Sequence, residues 1–424
     1  MIEAPGKRKR FQDALRWMPK QWSGEIVVLA TGGHFMESPP IGTPAIRPDG
    51  SLVRFPKKGD RIVKLTEHLS RAVEVVVATD PDDEGEVIGA DIAALSVKGT
   101  LVTRAIVHSM DVESIRRGIE ERIPWENKSA RGIARATIDR LILEKFGERG
   151  LSIGRVVSPV LELTGKESIW KTLSTKPDVT APWNLSDLLC IKSEQTVLEK
   201  NRLSENLYLA GKVSYPRTDS RSFSEDVSRT IKNWISRLSI AQEAETLLRS
   251  FESERDSAHN ALYAMGKIGW DDNLYNASSS TAMHVQVARS SIAGAGGNPE
   301  KQWGKFEWSS SPDAKLVRLQ ESHRLGRPST WASRADNLIS RDLVNERGLT
   351  PNGRFSLERA PVFLRDEKTC VGIEDLITEK SRDRWTSAEI VTEATRQFDF
   401  IRLPSEWPKE TASKDLPSAG TPSF

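Results

Sequence analysis

The spacing of apolar and polar positions divides the chain into stretches of different character. Over the first 120 residues, short β-branched runs alternate with helical periodicity. "EIVVLATGGH" (25–34) and "VEVVVATD" (73–80) predict buried strands ending in polar turns. "DEGEVIGADIAAL" (83–95) sets Ile88, Ile92 and Leu95 at i, i+4 and i+7, which predicts a helix. "TRAIVHSM" (103–110) predicts another strand, followed by a helix over "DVESIRRGIEER" capped by Asp111. This alternation implies an α/β layer with mainly parallel strands.

From Asn127 to Ser168 the pattern is mostly helical, with Ile133, Ile138, Leu141 and Ile142 forming an apolar stripe bordered by arginines. Residues 172–200 are mixed, and residues 201–265 read as helical around one extended segment, "KVSYPRTD". "SSIAGAGGNPEKQ" (290–302), rich in Gly and Ser, predicts a loop or hinge. "ESHRLGRPSTWASRADNLISRDLV" (321–344) is helix-rich, with Pro328 near a helix start. After Leu403 the chain is rich in Pro, Ser, Thr and Lys and is expected to be disordered. No internal repeat is visible.

Composition adds limits. The 424 residues suffice for two to four domains, and 38% hydrophobic with 28% charged residues suits a soluble globular protein. The net charge of +2 does not announce a nucleic-acid partner, so any basic surface must be local. Cys190 and Cys370 stand apart with no CxxC pair, so neither a zinc site nor a disulfide scaffold is expected, and a reducing cytoplasm is the expected compartment. No apolar run approaches the roughly 20 residues of a membrane span. The opening MIEAPGKRKRF is basic without an apolar stretch, unlike a signal peptide. Twelve tryptophans stand against four tyrosines; most are expected in the core or half-buried, with a few able to stack on bases.

Asp80, Asp82, Asp83 and Glu84 fall within five positions, and Glu86 follows. A strand ending at Asp80 delivers them to its carboxyl end, where α/β folds place their sites. Asp80, Asp82 and Glu84 alternate and would face one side of an extended loop, a set of oxygen donors that suits Mg²⁺. Two plainer readings compete. D-x-D-x-E-G resembles an EF-hand calcium loop, with Gly85 sixth and Asp91 twelfth, although the three valines before it read as strand rather than helix. A merely solvated acidic turn is the other.

In "GKVSYPRTDSRSFS" (211–224), Tyr215 is flanked by Arg217, Thr218, Asp219 and Ser220. A phenol can be a nucleophile if the charge on the phosphate it attacks is neutralised, and Arg217 could fork onto that phosphate. The plainer reading is a half-buried tyrosine before a turn, with Thr218, Asp219 and Ser220 as a helix cap.

Seven segments together resemble, in order, the motifs of the type IA DNA topoisomerases. They are "IEAPGKRKRF" (2–11), "TGGHFMESP" (31–39), the acidic cluster, "LSIGRVVSPVLEL" (151–163), "LYLAGKVSYPRTDSRSFS" (207–224), "DSAHNALYAM" (256–265) and "LGRPSTWASRADNLISRDLV" (325–344). The acidic cluster is similar to that family's Toprim signature. The resemblance implies a multidomain α/β plus α fold: a Toprim-type parallel-sheet domain with helical domains and a small arch closing a torus. The corresponding boundaries are a Toprim domain over 1–122, a helical single-strand-binding domain over 123–168 and 311–403, a short arch over 169–200 and 268–310, an active-site tyrosine domain over 201–267, and a tail over 404–424.

Carried over from the resemblance, Tyr215 attacks a backbone phosphorus and joins the 5′ phosphate, Glu3 protonates the leaving 3′ oxygen, and Lys7 and Arg217 stabilise the transition-state charge. His259 contacts the phosphate. Asp80, Asp82 and Glu84 bind Mg²⁺. Arg135, Asp139, Arg140, Arg155, Arg327, Ser329 and Thr330 line a groove for single-stranded DNA. The implied function is ATP-independent cleavage of one strand, strand passage and religation, relaxing negative supercoils. Neither ATP nor zinc is expected as a cofactor; a P-loop sequence is absent. The protein is expected to be a monomer with DNA as its partner and no membrane association. The alternative is a catalytically silent single-stranded-DNA-binding protein on the same frame; a Toprim nuclease or primase would not need the tyrosine motif.

The chain departs from the family's pattern at several points. Asp83 stands where the family usually has a basic residue, Asn-Ala-Leu-Tyr follows His259, and Glu144 replaces an aromatic. The arch segments are short, and the C-terminal zinc or basic modules are missing from this sequence.

Overall fold

The computed structural model describes residues 1–16, 24–177, 182–238, 260–268, 279–295, 300 and 305–406. The chain divides into two compact units. Unit 1 comprises Met1–Ile106, Arg116–Arg155 and Lys368–Phe424; unit 2 comprises Val107–Ile115 and Val156–Glu367.

Unit 1 begins with a 3-10 turn at Pro5–Lys7 and helix α1 (Arg8–Arg16), followed by the antiparallel pair β1 (Met36–Glu37) and β2 (Phe55–Pro56) and helix α2 (Asp60–Arg71). Then come β3 (Glu74–Val77), α3 (Asp83–Leu95) and β4 (Leu101–Arg104). Strands β3 and β4 are parallel, from Glu74 beside Leu101 to Val77 beside Arg104. Helix α4 (Val112–Glu120) enters unit 1 at Arg116 and leads to β5 (Ile123–Pro124), antiparallel to β4, and to α5 (Ala130–Phe146). The valines of β3 alternate, and Val75 and Val77 enter a core with Phe35, Leu69, Ile88 and Ile92. The expected strand, helix, strand succession is therefore present, but the strand expected over 73–80 ends at Val77, the one expected over 103–110 forms at Leu101–Arg104, and of the strand pairs among the described residues only β3 and β4 are parallel. Asp111 caps α4, its Oδ1 accepting the Ser114 N–H at 2.9 Å.

The strand predicted over 25–34 does not form. Residues 25–29 are unpaired with respect to any ladder, Ile26 and Val27 are exposed, and a single parallel bridge joins Ile2 to Ala30. Its bonds are Ile2 N to Leu29 O at 2.9 Å and Thr31 N to Ile2 O at 3.0 Å. The bridge is parallel, so continuing it past Ile2 would pair residues 31–33, and Pro5, with no N–H to donate, stops that extension; Val27 and Val28 lie on the other side of the bridge and join no ladder.

Unit 2 is almost wholly helical. It contains α6 (Val157–Gly165), α7 (Glu167–Thr172), α8 (Leu185–Cys190), α9 (Val197–Leu209), α10 (Glu225–Arg237), α11 (Ser279–Gly294), α12 (Pro312–Ser322) and α13 (Pro328–Ser340). A hairpin of β6 (Val344–Asn345) and β7 (Gly348–Leu349) precedes α14 (Pro351–Arg359) and α15 (Val362–Arg365). Capping boxes at Asn184/Asp187 and Thr196/Glu199 start α8 and α9, and Pro312 and Pro328 open α12 and α13. Helix α12 packs on α8 and α13, and α9 on α11 and α13. A separate core forms from Phe223, Val227, Ile231, Ile235, Ala261, Ile292 and Ala295.

The loop predicted over 290–302 is corrected in its first part: Ser290–Gly294 complete α11 and are mostly buried. The Ser290 and Ser291 hydroxyls donate to Val287 O at 2.8 and 2.7 Å, so small polar side chains satisfy themselves on a buried helical face. Residues 296–299 and 301–304 lie outside the described residues.

The chain then returns to unit 1 within α16 (Glu367–Arg382) and ends its described part after α17 (Ser387–Gln397). Helix α5 packs against α3 and α17. The α3–α5 approach is close at Gly132, where a Cβ would lie 2.6 Å from Val87 Cγ2 and 3.0 Å from the Asp83 carbonyl oxygen. The fold is thus mixed α/β, mostly helical with small sheets. Overpacking costs about 1–3 kcal/mol against a helix-propensity gain of ~1 kcal/mol, so Gly132→Ala should lower the urea unfolding midpoint, and Gly132→Val should lower it further.

Candidate active site

Each unit holds part of the predicted chemistry. In unit 1, the polypeptide leaves β3 through Ala78, Thr79 and Asp80, and the turn that follows is organised by Arg104 at the end of β4. This guanidinium is 5% exposed. Its Nη1 donates to Val77 O (3.3 Å), Thr79 O (2.9 Å) and Ala105 O (2.8 Å). Its Nη2 donates to Asp80 O (3.1 Å) and to the Glu86 carboxylate (2.7 Å). Val77 O also accepts the Ala105 N–H, while the carbonyls of Thr79, Asp80 and Ala105 are satisfied by this one cation, and α3 is tied to the strand end through Glu86. Gly85 sits against the turn so closely that a Cβ there would lie 2.0 Å from the Asp80 carbonyl oxygen. Thr79 Oγ1 donates to Gly85 O at 2.7 Å.

The acids separate by role. Asp82 is the N-cap of α3 and accepts the Gly85 N–H at 2.8 Å. Asp83, Glu84 and Glu86 occupy the first helical turn, where the helix dipole favours negative charge. Asp80 forms a buried ion pair with Lys7 of the 3-10 turn. Glu84 is hydrogen-bonded to His34 Nε2. Asp83, the acid at a position where a base is usual in the resembled family, lies 3.0 Å from Arg135 and 3.5 Å from Arg131 on α5. The EF-hand reading is excluded: a strand, not a helix, precedes the acids, and Asp91 lies inside α3, bound by both terminal nitrogens of Arg54 at 2.8 and 2.6 Å.

Residues 1–3 run beside the end of β3, where Ala78 N donates to Met1 O at 2.7 Å. This brings Glu3, half-buried, and Lys7, buried, to the acidic turn. Asp80, Asp82 and Glu84 are not drawn onto one point; among the described residues, no group of three or more His, Cys, Asp or Glu is gathered as a metal site.

The predicted strand-binding residues of unit 1 are joined mainly to protein groups. Arg135 forks onto Glu374 of α16 at 3.1 and 2.6 Å. Arg155, only 5% exposed, forks onto Asp139 at 2.8 and 3.1 Å and reaches Glu374 at 3.3 Å. Burial opposes the Arg155 charge most, but the hydrogen-bonded carboxylate of Asp139 together with neighbouring negative groups, Glu374 among them, keeps the pKa above its ordinary value. Arg140 binds Glu144 and donates to the carbonyls of Pro39 (2.7 Å), Pro40 (2.7 Å) and Thr43 (3.1 Å).

In unit 2, Tyr215 lies on the extended segment between α9 and α10. It is 3% exposed, more buried than the plainer sequence reading supposed. Its N–H donates to His108 O at 3.1 Å, and Ser214 N donates to Tyr263 O at 3.0 Å. Its ring meets Tyr208 edge-on, 5.5 Å between centroids. Arg217 donates Nε and Nη2 to Glu205 at 3.2 and 2.9 Å. Helix α10 starts after Ser224, so Thr218, Asp219 and Ser220 are not its cap; Thr218 Oγ1 instead donates to Asn260 O at 3.1 Å. His259 lies outside the described residues. Arg327, Ser329 and Thr330 are half-buried at the start of α13, where Thr330 Oγ1 donates to Arg327 O at 3.1 Å. Trp331 is in the core, 3% exposed.

Sequence reasoning missed Arg104, His34 and Glu374. His34 lies in the segment "TGGHFMESP", whose pattern gives it no role; Arg104 stands second in the stretch expected as a strand over 103–110, and Glu374 carries no local signal.

Comparison with known proteins agrees with this geometry. Residues 2–110 match the Toprim domain family, so the chain carries a Toprim domain. The chain is 28% identical over 179 residues to DNA topoisomerase 1 of two strains of Xylella fastidiosa, Temecula1 and 9a5c. That stretch is 38% of this chain but only 21% of those relatives' length. In three dimensions it is similar to full-length topoisomerase I from Thermotoga maritima, with a TM-score of 0.70 at 17% identity, covering 94% of this chain and 89% of that one. The fold is therefore that of a topoisomerase I, and the resemblance to the type IA enzymes is borne out. Toprim domains bind Mg²⁺ in general. The donors here suit that ion in kind, being hard carboxylate oxygens, with Lys7 and His34 now on two of them. No helix among the described residues is long and apolar enough to cross a membrane.

Two outcomes test this geometry. Arg104→Met leaves Glu86 without its partner and several carbonyls without a donor, and should cost about 3–5 kcal/mol in denaturant unfolding. With divalent ions removed by EDTA, His34 should titrate above 6.5, because its hydrogen bond with Glu84 favours the imidazolium, and Glu84→Gln should bring that midpoint down. The same bond lowers the Glu84 pKa below 4.5. The pair's stabilisation is therefore complete between 4.5 and 6.5; it is lost as pH rises through the raised His34 value or falls through the lowered Glu84 value. NMR titration of the imidazole signals reads the first effect.

Proposed function

We propose that the chain is a type IA DNA topoisomerase that cuts one strand through Tyr215, passes another strand and reseals, relaxing negative supercoils without ATP. The observation that carries this reading is the union, in one topoisomerase I fold, of a Toprim acidic turn bearing the buried Lys7–Asp80 pair with an extended segment bearing Tyr215 and Arg217.

In this mechanism the Tyr215 phenol gives up its proton to water and its oxygen bonds to a backbone phosphorus as the bond to the 3′ oxygen breaks. Glu3 supplies the proton to that oxygen. Lys7 and Arg217 neutralise charge on the phosphoryl oxygens, and His259 contacts the same group. One phosphodiester is exchanged for another, so the reverse attack by the 3′ hydroxyl needs no external energy. Asp80, Asp82 and Glu84 would hold Mg²⁺, which supplies charge stabilisation and alignment of the cut ends.

The burial of Tyr215 means that whatever covers the ring must move before a phosphate reaches it. Arg217 would exchange Glu205 for a phosphate oxygen, a like-for-like replacement of one anion by another. DNA would enter as a single strand along Arg135, Asp139, Arg140, Arg155, Arg327, Ser329 and Thr330. Because Arg135 and Arg155 already hold carboxylates, their contacts to a strand would come by partial exchange and would be sensitive to salt.

Incubation of a labelled single-stranded oligonucleotide with the protein and Mg²⁺ should trap a covalent adduct. Tyr215→Phe should abolish both that adduct and relaxation of negatively supercoiled plasmid. Equal activity of the two proteins would overturn the assignment, and strand binding with no adduct from the wild type would favour a silent binding protein.

A further inference from the structure

We infer that Arg221 is a positioning residue for Tyr215, clamping the far end of the tyrosine segment to a buried pair of carboxylates. The inference rests on the reading of Tyr215 as nucleophile. Residues 214–223 carry no helix or strand, so their course depends on individual bonds. Near Tyr215 these are the backbone bonds to His108 and Tyr263; further on, Leu185 N donates to Thr218 O at 3.1 Å and Ala261 N to Ser222 O at 2.7 Å.

Arg221 supplies the charged anchor. Its Nη1 donates to Asp187 Oδ2 at 2.7 Å and to Pro182 O at 3.4 Å. Its Nη2 donates to Asp187 Oδ1 at 3.1 Å and to Glu321 Oε1 at 2.6 Å. Asp187, on α8, is fully buried, and Glu321, on α12, has a side chain 16% exposed. Arg318 of α12 completes the group: it donates to Asp187 at 2.8 Å, binds Glu321, and reaches Thr175 O at 3.0 Å. Asn184 donates to Glu321 at 2.6 Å.

Two acids thus face two arginines, and the group is neutral only with Arg221 docked. Arg318 comes from the same helix as Glu321, so it cannot hold the tyrosine segment. Arg221 alone of the four charges belongs to that segment, six residues from Tyr215, with Pro216 fixing one backbone dihedral between them. A forked, two-acid contact restricts direction as well as distance. Loss of the fork would leave the segment held by its backbone bonds alone, and small misplacements of a nucleophile cost rate far more than affinity.

The test compares wild type with Arg221→Lys, Arg221→Gln and the double variant Arg221→Gln/Glu321→Gln. Three quantities are read: thermal midpoint, affinity for a single-stranded oligonucleotide, and rate of covalent adduct formation. Arg221→Gln should slow adduct formation by about tenfold or more with affinity unchanged within about twofold. The double variant restores neutrality and should recover the thermal midpoint without recovering the rate. Arg221→Lys, which keeps charge but not the fork, should fold and still be slow. A rate within twofold of wild type for Arg221→Gln, or a rate that recovers together with the midpoint in the double variant, overturns the inference and leaves Arg221 as charge balance only. A wild type that forms no adduct overturns the topoisomerase reading itself, and this inference with it.

Discussion

The guanidinium of Arg104 is the contact on which the acidic turn depends. A parallel strand pair leaves carbonyls unsatisfied where the chain turns away from the ladder, and here three of them, on Thr79, Asp80 and Ala105, accept from one buried cation. The same cation holds Glu86, so the helix that follows the turn is fixed to the strand that precedes it. Close approach at Gly85 then lets the Asp82 side chain cap α3 while Asp83 and Glu84 enter its first turn. Unit charges about 4 Å apart at a protein surface repel by roughly 4 kcal/mol, so a run of acids needs such compensation to be held in one conformation. Lys7, His34 and Arg135, each from a different element, supply it residue by residue.

The parts legible in the sequence are those fixed by local rules. The period-2 valines of β3, the 3.6-residue spacing of Ile88, Ile92 and Leu95, the Asp111 cap and Pro328 at a helix start all needed only neighbours. The errors are also physical. "EIVVLA" has the composition of a strand, but a strand requires a partner, and among the described residues only Ala30 of that run forms a bridge, to Ile2. "SSIAG" has the composition of a loop, but its hydroxyls bond back to Val287 and its small side chains permit burial. Propensity describes a residue alone; pairing and packing decided these cases.

The candidate site was legible in its chemistry and hidden in its partners. The alternation of Asp80, Asp82 and Glu84 suggested three oxygens on one side of an extended loop. The structure ends β3 at Val77, leaves Asp80 in the turn beyond it, gives Asp82 to a helix cap and puts Glu84 on a helical turn, where the period of two no longer applies. Partners such as Glu374 for Arg135 are separated by 239 residues, and no local pattern announces such a pair. Arg221 shows the same limit, since Asp187 and Glu321 lie on helices distant from it in sequence.

These pairings share one property. The cations expected to meet a phosphodiester already rest on carboxylates: Lys7 on Asp80, Arg217 on Glu205, Arg135 on Glu374 and Asp83, Arg155 on Asp139. An isolated buried charge would shift its pKa or unfold its surroundings, so a site for a polyanion must hold its positive charge ready on internal anions. Exchange of one anion for another changes the partner without changing the local charge, and costs less than uncovering a bare cation. The exposed member of each pair can exchange most readily. Arg217, whose side chain is 29% exposed against 3% for Lys7 and 4% for Arg155, is therefore the group best placed to leave its carboxylate first, and Arg155, held by both Asp139 and Glu374, exchanges only in part. On the proposed reading, the order in which these cations change partners follows from burial rather than from sequence position.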